Sequence, residues 1–182
     1  MSLERIGDIV KARELTDKFD NLEKFIEESN RIEGILNYDR AKQISLLYKF
    51  LNNDELSPQD IEETAIKLQE TTHYKRDPVI PRLRTSVGMN VFVGDHKPPL
   101  GGSWIVDALS NILKDAAGLS GSIFSAYEIH HRFETLHPLM DSNGRTGRFL
   151  WAWMMNKTSY DFSRGFLHQW YYQSLAEHNG RK

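Results

Sequence analysis

The sequence predicts a mainly α fold, a helical bundle carrying one small β-hairpin. Three observations lead there. Apolar residues recur at the 3.6-residue helical spacing through most of the chain. Three of the six prolines fall between Pro81 and Pro99, in a stretch with little helical period. Within that stretch the run from Leu83 to Val93 has strand-like residues on either side of Gly88, the pattern of a short hairpin.

Each element follows from its own residues. Leu15, Phe19, Leu22 and Ile26 place a first amphipathic helix over about 12–34. Ile44, Leu47, Tyr48 and Leu51 mark a second. Ser57-Pro58-Gln59-Asp60 reads as an N-cap, a proline at the first helical position and an acidic partner at the third, opening a helix with Ile61, Ala65 and Leu68. After the hairpin, Ile105, Leu109 and Ile112 give a helix over 104–114, and Ile123, Ala126, Ile129, Phe133 and Leu136 give one over 122–136. Phe149, Leu150, Trp151, Trp153 and Met154 are apolar all round, as a central core helix requires. A last helix is expected over 169–178.

Composition narrows the class. At 182 residues the chain suits one well-buried domain. Its net charge of −2 argues against broad nucleic-acid binding. The absence of cysteine excludes disulfides and thiolate chemistry. Without a signal-peptide run or a membrane-length apolar segment, a soluble cytoplasmic protein is expected. Neither a phosphate-loop string of the G-x-x-x-x-G-K-[ST] type nor a G-x-S-x-G elbow occurs.

The chemistry concentrates in His137-Pro138-Leu139-Met140-Asp141-Ser142-Asn143-Gly144-Arg145-Thr146-Gly147-Arg148. His137 is a base suited to neutral pH. Asp141 is a lone carboxylate of the kind that holds Mg²⁺ beside phosphates. Ser142-Asn143-Gly144 can turn backbone N–H groups inward as an anion nest opening a helix. Arg145 and Arg148, at i and i+3, suit bidentate phosphate contacts. Two glycines early in a helix cost about 1 kcal/mol each, so close packing must offset Gly144 and Gly147.

This run resembles the signature of the Fic (Fic/Doc) family, H-x-F-x-[D/E]-G-N-G-R-x-x-R, with Leu139 in place of the aromatic and Ser142 in place of the first glycine. The Cβ of Ser142 restricts angles that glycine would allow. Leu139 is expected to keep the hydrophobic anchoring role. The resemblance implies a Fic-fold helical bundle forming a single domain over 1–182. Residues 1–56 would be N-terminal helices, and 57–182 a core holding a flap at about 83–93 and the signature at 137–148.

It further implies transfer of AMP from ATP to a Ser, Thr or Tyr hydroxyl of a target protein. His137 would be the general base and Asp141 the Mg²⁺ ligand. Ser142, Asn143 and Gly144 would cradle the α-phosphate, with Arg145 and Arg148 on the β- and γ-phosphates. Tyr172 would line the nucleotide side. The target would dock on the flap at Arg84, Thr85, Ser86, Val87 and Gly88. Ser29-Asn30-Arg31-Ile32-Glu33-Gly34 would otherwise pass for a polar helix end, but it matches the family's inhibitory motif. Glu33 would pair with Arg148, and Ser29 would support the segment.

Other readings stay open from the residues. They are a Fic-like transferase of another phosphate-containing group, an enzyme that removes AMP, and a non-catalytic interaction module. Adjacent His130 and His131 point about 100° apart on a helix and cannot share one metal. ATP and Mg²⁺ are the expected ligands and a hydroxyl-bearing protein the expected partner, with no nucleic acid and no membrane. Homo-oligomerisation is left open.

Overall fold

The structure, a computed structural model, describes residues 20–73, 79–94, 96–118 and 123–158. Six helices carry it: α1 (20–32), α2 (Arg40–Leu51), α3 (Pro58–Glu70), α4 (Trp104–Ala117), α5 (Ile123–Leu136) and α6 (Asn143–Asn156). The expected last helix and the start of the first lie outside the described residues. Among the described residues, no helix is long and apolar enough to cross a membrane.

Local sequence explains the helix starts. Asp39 caps α2 by accepting the Lys42 N–H at 3.1 Å. Ser57 and Asp60 form a reciprocal capping box on α3, with Asp60 N–H to Ser57 Oγ at 3.3 Å and Ser57 N–H to Asp60 Oδ2 at 2.8 Å. The expected stripes of α3, α4 and α5 are buried: Ile61, Ala65 and Leu68; Ile105, Leu109 and Ile112; Ala126, Ile129, Phe133 and Leu136. In α2, Leu47 and Leu51 are buried while Tyr48 turns to solvent.

Helix α6 runs through the centre, buried on every side from Arg145 to Met155 and packed against α2, α3 and α5. Phe149 gathers Phe25 of α1 and Phe50 of α2, with ring centroids 6.2 and 5.7 Å away. Trp153 is fully buried and donates its indole N–H to the Asn53 carbonyl at 2.8 Å. The helix that leads into Glu33 and the signature helix therefore share one hydrophobic core.

The expected hairpin over 83–93 is present only as a turn. Met89 N–H bonds the Ser86 carbonyl at 3.1 Å and Gly88 takes φ 93°, but no ladder joins the two halves of the segment. Its first half pairs elsewhere: Leu83 bridges Leu139, with Arg84 N–H to Pro138 O and Met140 N–H to Arg82 O both at 2.9 Å. The signature loop thus satisfies backbone groups that a hairpin partner would have taken.

Gly147 is a packing requirement. A Cβ there would collide with Glu134 Oε1 and the Phe133 ring of α5, so only glycine permits this approach of α5 and α6. Gly147→Ala is expected to destabilise the protein by about 1–3 kcal/mol. A urea midpoint equal to the parent's would show that the two helices do not meet at this point.

Candidate active site

The signature loop opens and closes on residues in left-handed backbone, His137 at φ 48° and Ser142 at φ 63°. Neither is glycine, so each conformation costs on the order of 1–2 kcal/mol. Surrounding bonds hold them there. His137 directly follows α5 and keeps its N–H on Phe133 O at 2.9 Å, after which Pro138 prevents the helix from continuing. Asn143 clasps the loop, its Oδ1 accepting the Leu139 N–H at 2.9 Å and its Nδ2 donating to the Leu139 carbonyl at 2.7 Å. Leu139 is fully buried and anchors the loop from below.

Arg84 completes the support, and its position corrects the expectation of a target-facing flap residue. It is fully buried. Its guanidinium donates to the carbonyls of His137 at 2.6 Å, Pro99 at 2.7 Å, Leu136 at 2.8 Å and Met89 at 3.3 Å. Two of these carbonyls end α5, where a cation also meets the negative pole of the helix dipole. Burial holds the Arg84 guanidinium below its ordinary pKa. Thr85, Ser86, Val87 and Gly88 remain exposed on the turn beyond it.

A cavity of ≈ 620 Å³ opens over the loop. His137, Asp141, Ser142, Asn143, Gly144 and Arg145 line one side, and Glu33 and the 90–93 segment line others. At its floor begins α6, whose first turn has no side-chain cap. An uncapped helix start presents backbone N–H groups and a positive pole to whatever enters.

His137 is pushed down to about 4, chiefly by burial and further by the charge of Arg84, so its imidazole is neutral near pH 7. Asp141 is half-buried on the cavity wall. Its Oδ1 accepts the Ser142 N–H at 2.6 Å, and its Oδ2 accepts from the Gln69 amide at 3.3 Å. Among the described residues no group of three or more His, Cys, Asp or Glu could form a metal cage. A single carboxylate on an open wall does fit Mg²⁺, which takes most of its ligands from phosphates and water.

The two signature arginines are held differently. Arg145 donates to Thr72 Oγ1 at 2.7 Å, to Leu68 O at 3.4 Å and to Ser142 Oγ at 2.8 Å. Arg148 donates through Nη2 to Glu33 Oε1 at 2.7 Å and to the Ser29 carbonyl at 2.9 Å, and through Nε to Ser29 Oγ at 2.9 Å. Ser29 therefore grips Arg148 itself, a closer part than support of the segment. Glu33 also lies against the first turn of α6, since a Cβ on Gly144 would collide with its Oε1. The two glycines that cost helix stability are thus both sites of close approach.

The structure brings together His137, Asp141, Ser142, Asn143, Gly144, Arg145 and Glu33 around one cavity, with Ser29 and Arg148 directly behind Glu33. Tyr172 lies outside the described residues. Sequence reasoning missed Gln69 and Thr72, which touch Asp141 and Arg145 from the end of α3. Nothing in their local sequence signals this, because the partners lie more than seventy residues away.

Helical packing around one open cavity floored by the start of α6 defines the class, a mainly α fold with its signature loop on that cavity. Residues 98–155 match the family model described as Fic/DOC family, which places the segment holding α4, α5 and the signature in that family. A structure of Fic-1 from C. elegans carrying a glutamate-to-glycine substitution is similar in fold. Its TM-score is 0.58 at 18% identity, over 98% of this chain and 67% of that one. No curated protein sequence matches the chain.

Three titratable groups near the loop, the fully buried His130 and the half-buried Glu134 and His137, give stability a pH optimum. Burial lowers His130 to about 3 and His137 to about 4, and raises Glu134 to about 8. Below pH 6.5 the unfolded chain takes up two imidazole protons that the folded one refuses, so stability falls as pH drops toward 4. The folded chain keeps the Glu134 proton that the unfolded chain releases above 4.5, so this group's contribution falls as pH rises toward 8. Two protons against one place the maximum near pH 6.5. Urea midpoints measured across pH are expected to decline from 6.5 to 8 in the parent and to stay level in Glu134→Gln; an equal decline in both would exclude a protonated carboxyl at this position.

Proposed function

We propose that the chain is a protein adenylyltransferase that moves AMP from ATP to a hydroxyl of a target protein and is restrained by its own Glu33. The observation that carries this reading is the single cavity on which a neutral imidazole, a lone carboxylate, an uncapped helix start and Arg145 converge, with Arg148 behind Glu33. Each of these matches a part of a triphosphate or of the reaction at its α-phosphate.

His137 takes the proton of the target hydroxyl as its oxygen bonds the α-phosphorus. The bond from that phosphorus to the bridging oxygen breaks, and pyrophosphate leaves. A neutral imidazole is ready to accept the proton without first losing one. The α-phosphate oxygens rest on the backbone N–H groups that open α6. The Asn143 side chain is committed to Leu139, so its part is to shape that nest. Arg145 meets the β-phosphate and Arg148 the γ-phosphate. Asp141 would hold Mg²⁺, which neutralises charge on the departing pyrophosphate.

The target segment docks beside the exposed Thr85–Gly88 turn, just beyond the buried Arg84 that binds the His137 carbonyl. ATP as substrate fits a cytoplasmic site of action. Glu33 opposes the reaction in two ways. It occupies the guanidinium of Arg148, and it sets a negative charge against the helix pole where the phosphates belong. ATP admitted past it would sit displaced, and about 1 Å of misplacement can cost roughly a hundredfold in rate.

Two experiments test this. His137→Ala is expected to abolish labelling of protein by ATP while leaving ATP affinity largely intact, and the added mass identifies the transferred group; labelling at the parent rate would remove His137 from the chemistry. Glu33→Gly is expected to raise self-labelling at least about tenfold, since an arginine–phosphate contact of about 1.5–3 kcal/mol is regained. The double variant Glu33→Gly/Arg148→Ala is expected to lose most of that gain. If Glu33→Gly labels no better than the parent, segment 29–34 is a helix end and no brake.

A further inference from the structure

Asn30, Gln43 and Thr72 are buried polar side chains from three separate elements, exposed by 1%, 0% and 8%. They form one line. Asn30 Nδ2 donates to Gln43 Oε1 at 2.7 Å. Gln43 Nε2 donates to Thr71 Oγ1 at 3.2 Å and to Thr72 Oγ1 at 3.4 Å. Thr72 Oγ1 in turn accepts from Arg145 Nη1 at 2.7 Å. The line begins in the motif that grips Arg148 and ends on the other signature arginine.

The direction of every bond is fixed by chemistry. Asn30 must turn its amide nitrogen inward, because it also donates to the Ile26 carbonyl at 3.0 Å. Gln43 must then offer its oxygen to Asn30 and its nitrogen to the threonines. Thr72 gives its hydroxyl proton to the Leu68 carbonyl at 2.7 Å, so toward Gln43 and Arg145 it can only accept. A guanidinium has donors alone, and an accepting oxygen is what it needs. Inside a buried network such bonds reinforce one another, and none can reverse without opposing two donors.

We propose that Gln43 and Thr72 are positioning residues that fix the Arg145 guanidinium and tie it to the inhibitory segment. That segment thereby restrains both arginines, Arg148 through Ser29 and Glu33 and Arg145 through Asn30, Gln43 and Thr72. The Glu33 carboxylate can leave without disturbing this second tie, since it is 35% exposed while the buried Asn30 holds Gln43 through its own side chain. Arg145 then stays oriented when the brake opens. This assigns α2 a part in the site although it contributes nothing to the cavity that holds the signature residues.

The part of the proposal that concerns phosphate rests on the adenylyltransferase reading, so two readouts separate them. The first needs no nucleotide. The side-chain NMR signals of Arg145 are expected to shift, and its guanidinium protons to exchange faster with water, in Asn30→Ala, Gln43→Met and Thr72→Val. They are expected to stay in place in Thr72→Ser, which keeps the hydroxyl. Signals unmoved by Asn30→Ala and Gln43→Met would overturn the relay whatever the protein binds.

The second readout compares ATP with AMP, by calorimetry, in the Glu33→Gly protein. Thr72→Val is expected to weaken ATP about tenfold and to leave AMP unchanged, because only ATP carries the phosphate that Arg145 would meet. Thr72→Ser is expected to restore the parent's ATP affinity. Equal weakening of both nucleotides would make Thr72 a general support of the fold and refute its positioning part. If Glu33→Gly binds ATP no tighter than AMP, the adenylyltransferase reading fails, and the Arg145 signals alone then decide the relay.

Discussion

Arg84 commits its guanidinium to the carbonyls of Met89, Pro99, Leu136 and His137, and none of these four bonds goes to a carboxylate. A buried charge without a counter-charge is costly, and here it is tolerated because carbonyl dipoles and the end of α5 surround it. The benefit is the shape of the signature loop. His137 stands in left-handed backbone at the point where α5 stops, and Arg84 holds the carbonyls on both sides of that corner. The same charge helps keep the His137 imidazole neutral. One side chain thus sets where the imidazole sits and adds to the burial that keeps it neutral. A lysine there could not replace it, since a compact ammonium cannot reach four divergent carbonyls.

What was legible in the sequence was local. The capping box of Ser57 and Asp60 spans three positions, and the stripes of α3 to α5 repeat every three or four, so each could be read without knowing its partner. The signature was legible for the same reason, with its base, carboxylate and arginines on one short loop and helix. The pairing of 82–84 with 138–140 was not, because strand pattern says that a segment is extended and does not say which backbone it meets. Arg84 looked like a surface cation because arginine is seldom fully buried. Gln43 and Thr72 carry no local signal, and only three-dimensional neighbours reveal them as buried. The motif at Ser29 and Glu33 pointed to Arg148, which Glu33 meets in the structure, and said nothing of the hydroxyl and carbonyl of Ser29 that both accept from it.

The three buried arginines differ in what would be lost if a ligand arrived. Arg84 is enclosed by backbone and has no partner that can move aside without unmaking the loop. Arg145 is oriented by the hydroxyls of Thr72 and Ser142 and by the Leu68 carbonyl, all of which accept from its guanidinium. Arg148 is bonded to a carboxylate, that of Glu33. Its side chain is 0% exposed whereas that of Glu33 is 35% exposed, so in this pair the carboxylate is the member able to return to water.

That asymmetry bears on how a brake of this kind can open. Removing one partner of a buried ion pair normally strands the other charge, at a cost of several kcal/mol. Arg148 would not be stranded, because Ser29 still offers it a hydroxyl and a carbonyl. In the proposed reading Glu33 can therefore swing out toward water while the guanidinium stays in place for a phosphate. Its carboxylate also vacates the first turn of α6, where the missing Cβ of Gly144 leaves room for an anion. The features that Glu33 meets, a preset arginine and a bare helix start, are the ones an incoming triphosphate would use in the proposed reading. In that reading inhibitor and substrate compete for one electrostatic pattern, so a sequence change that weakens the brake by weakening Arg148 would weaken the enzyme with it. Only changes on the Glu33 side can separate the two.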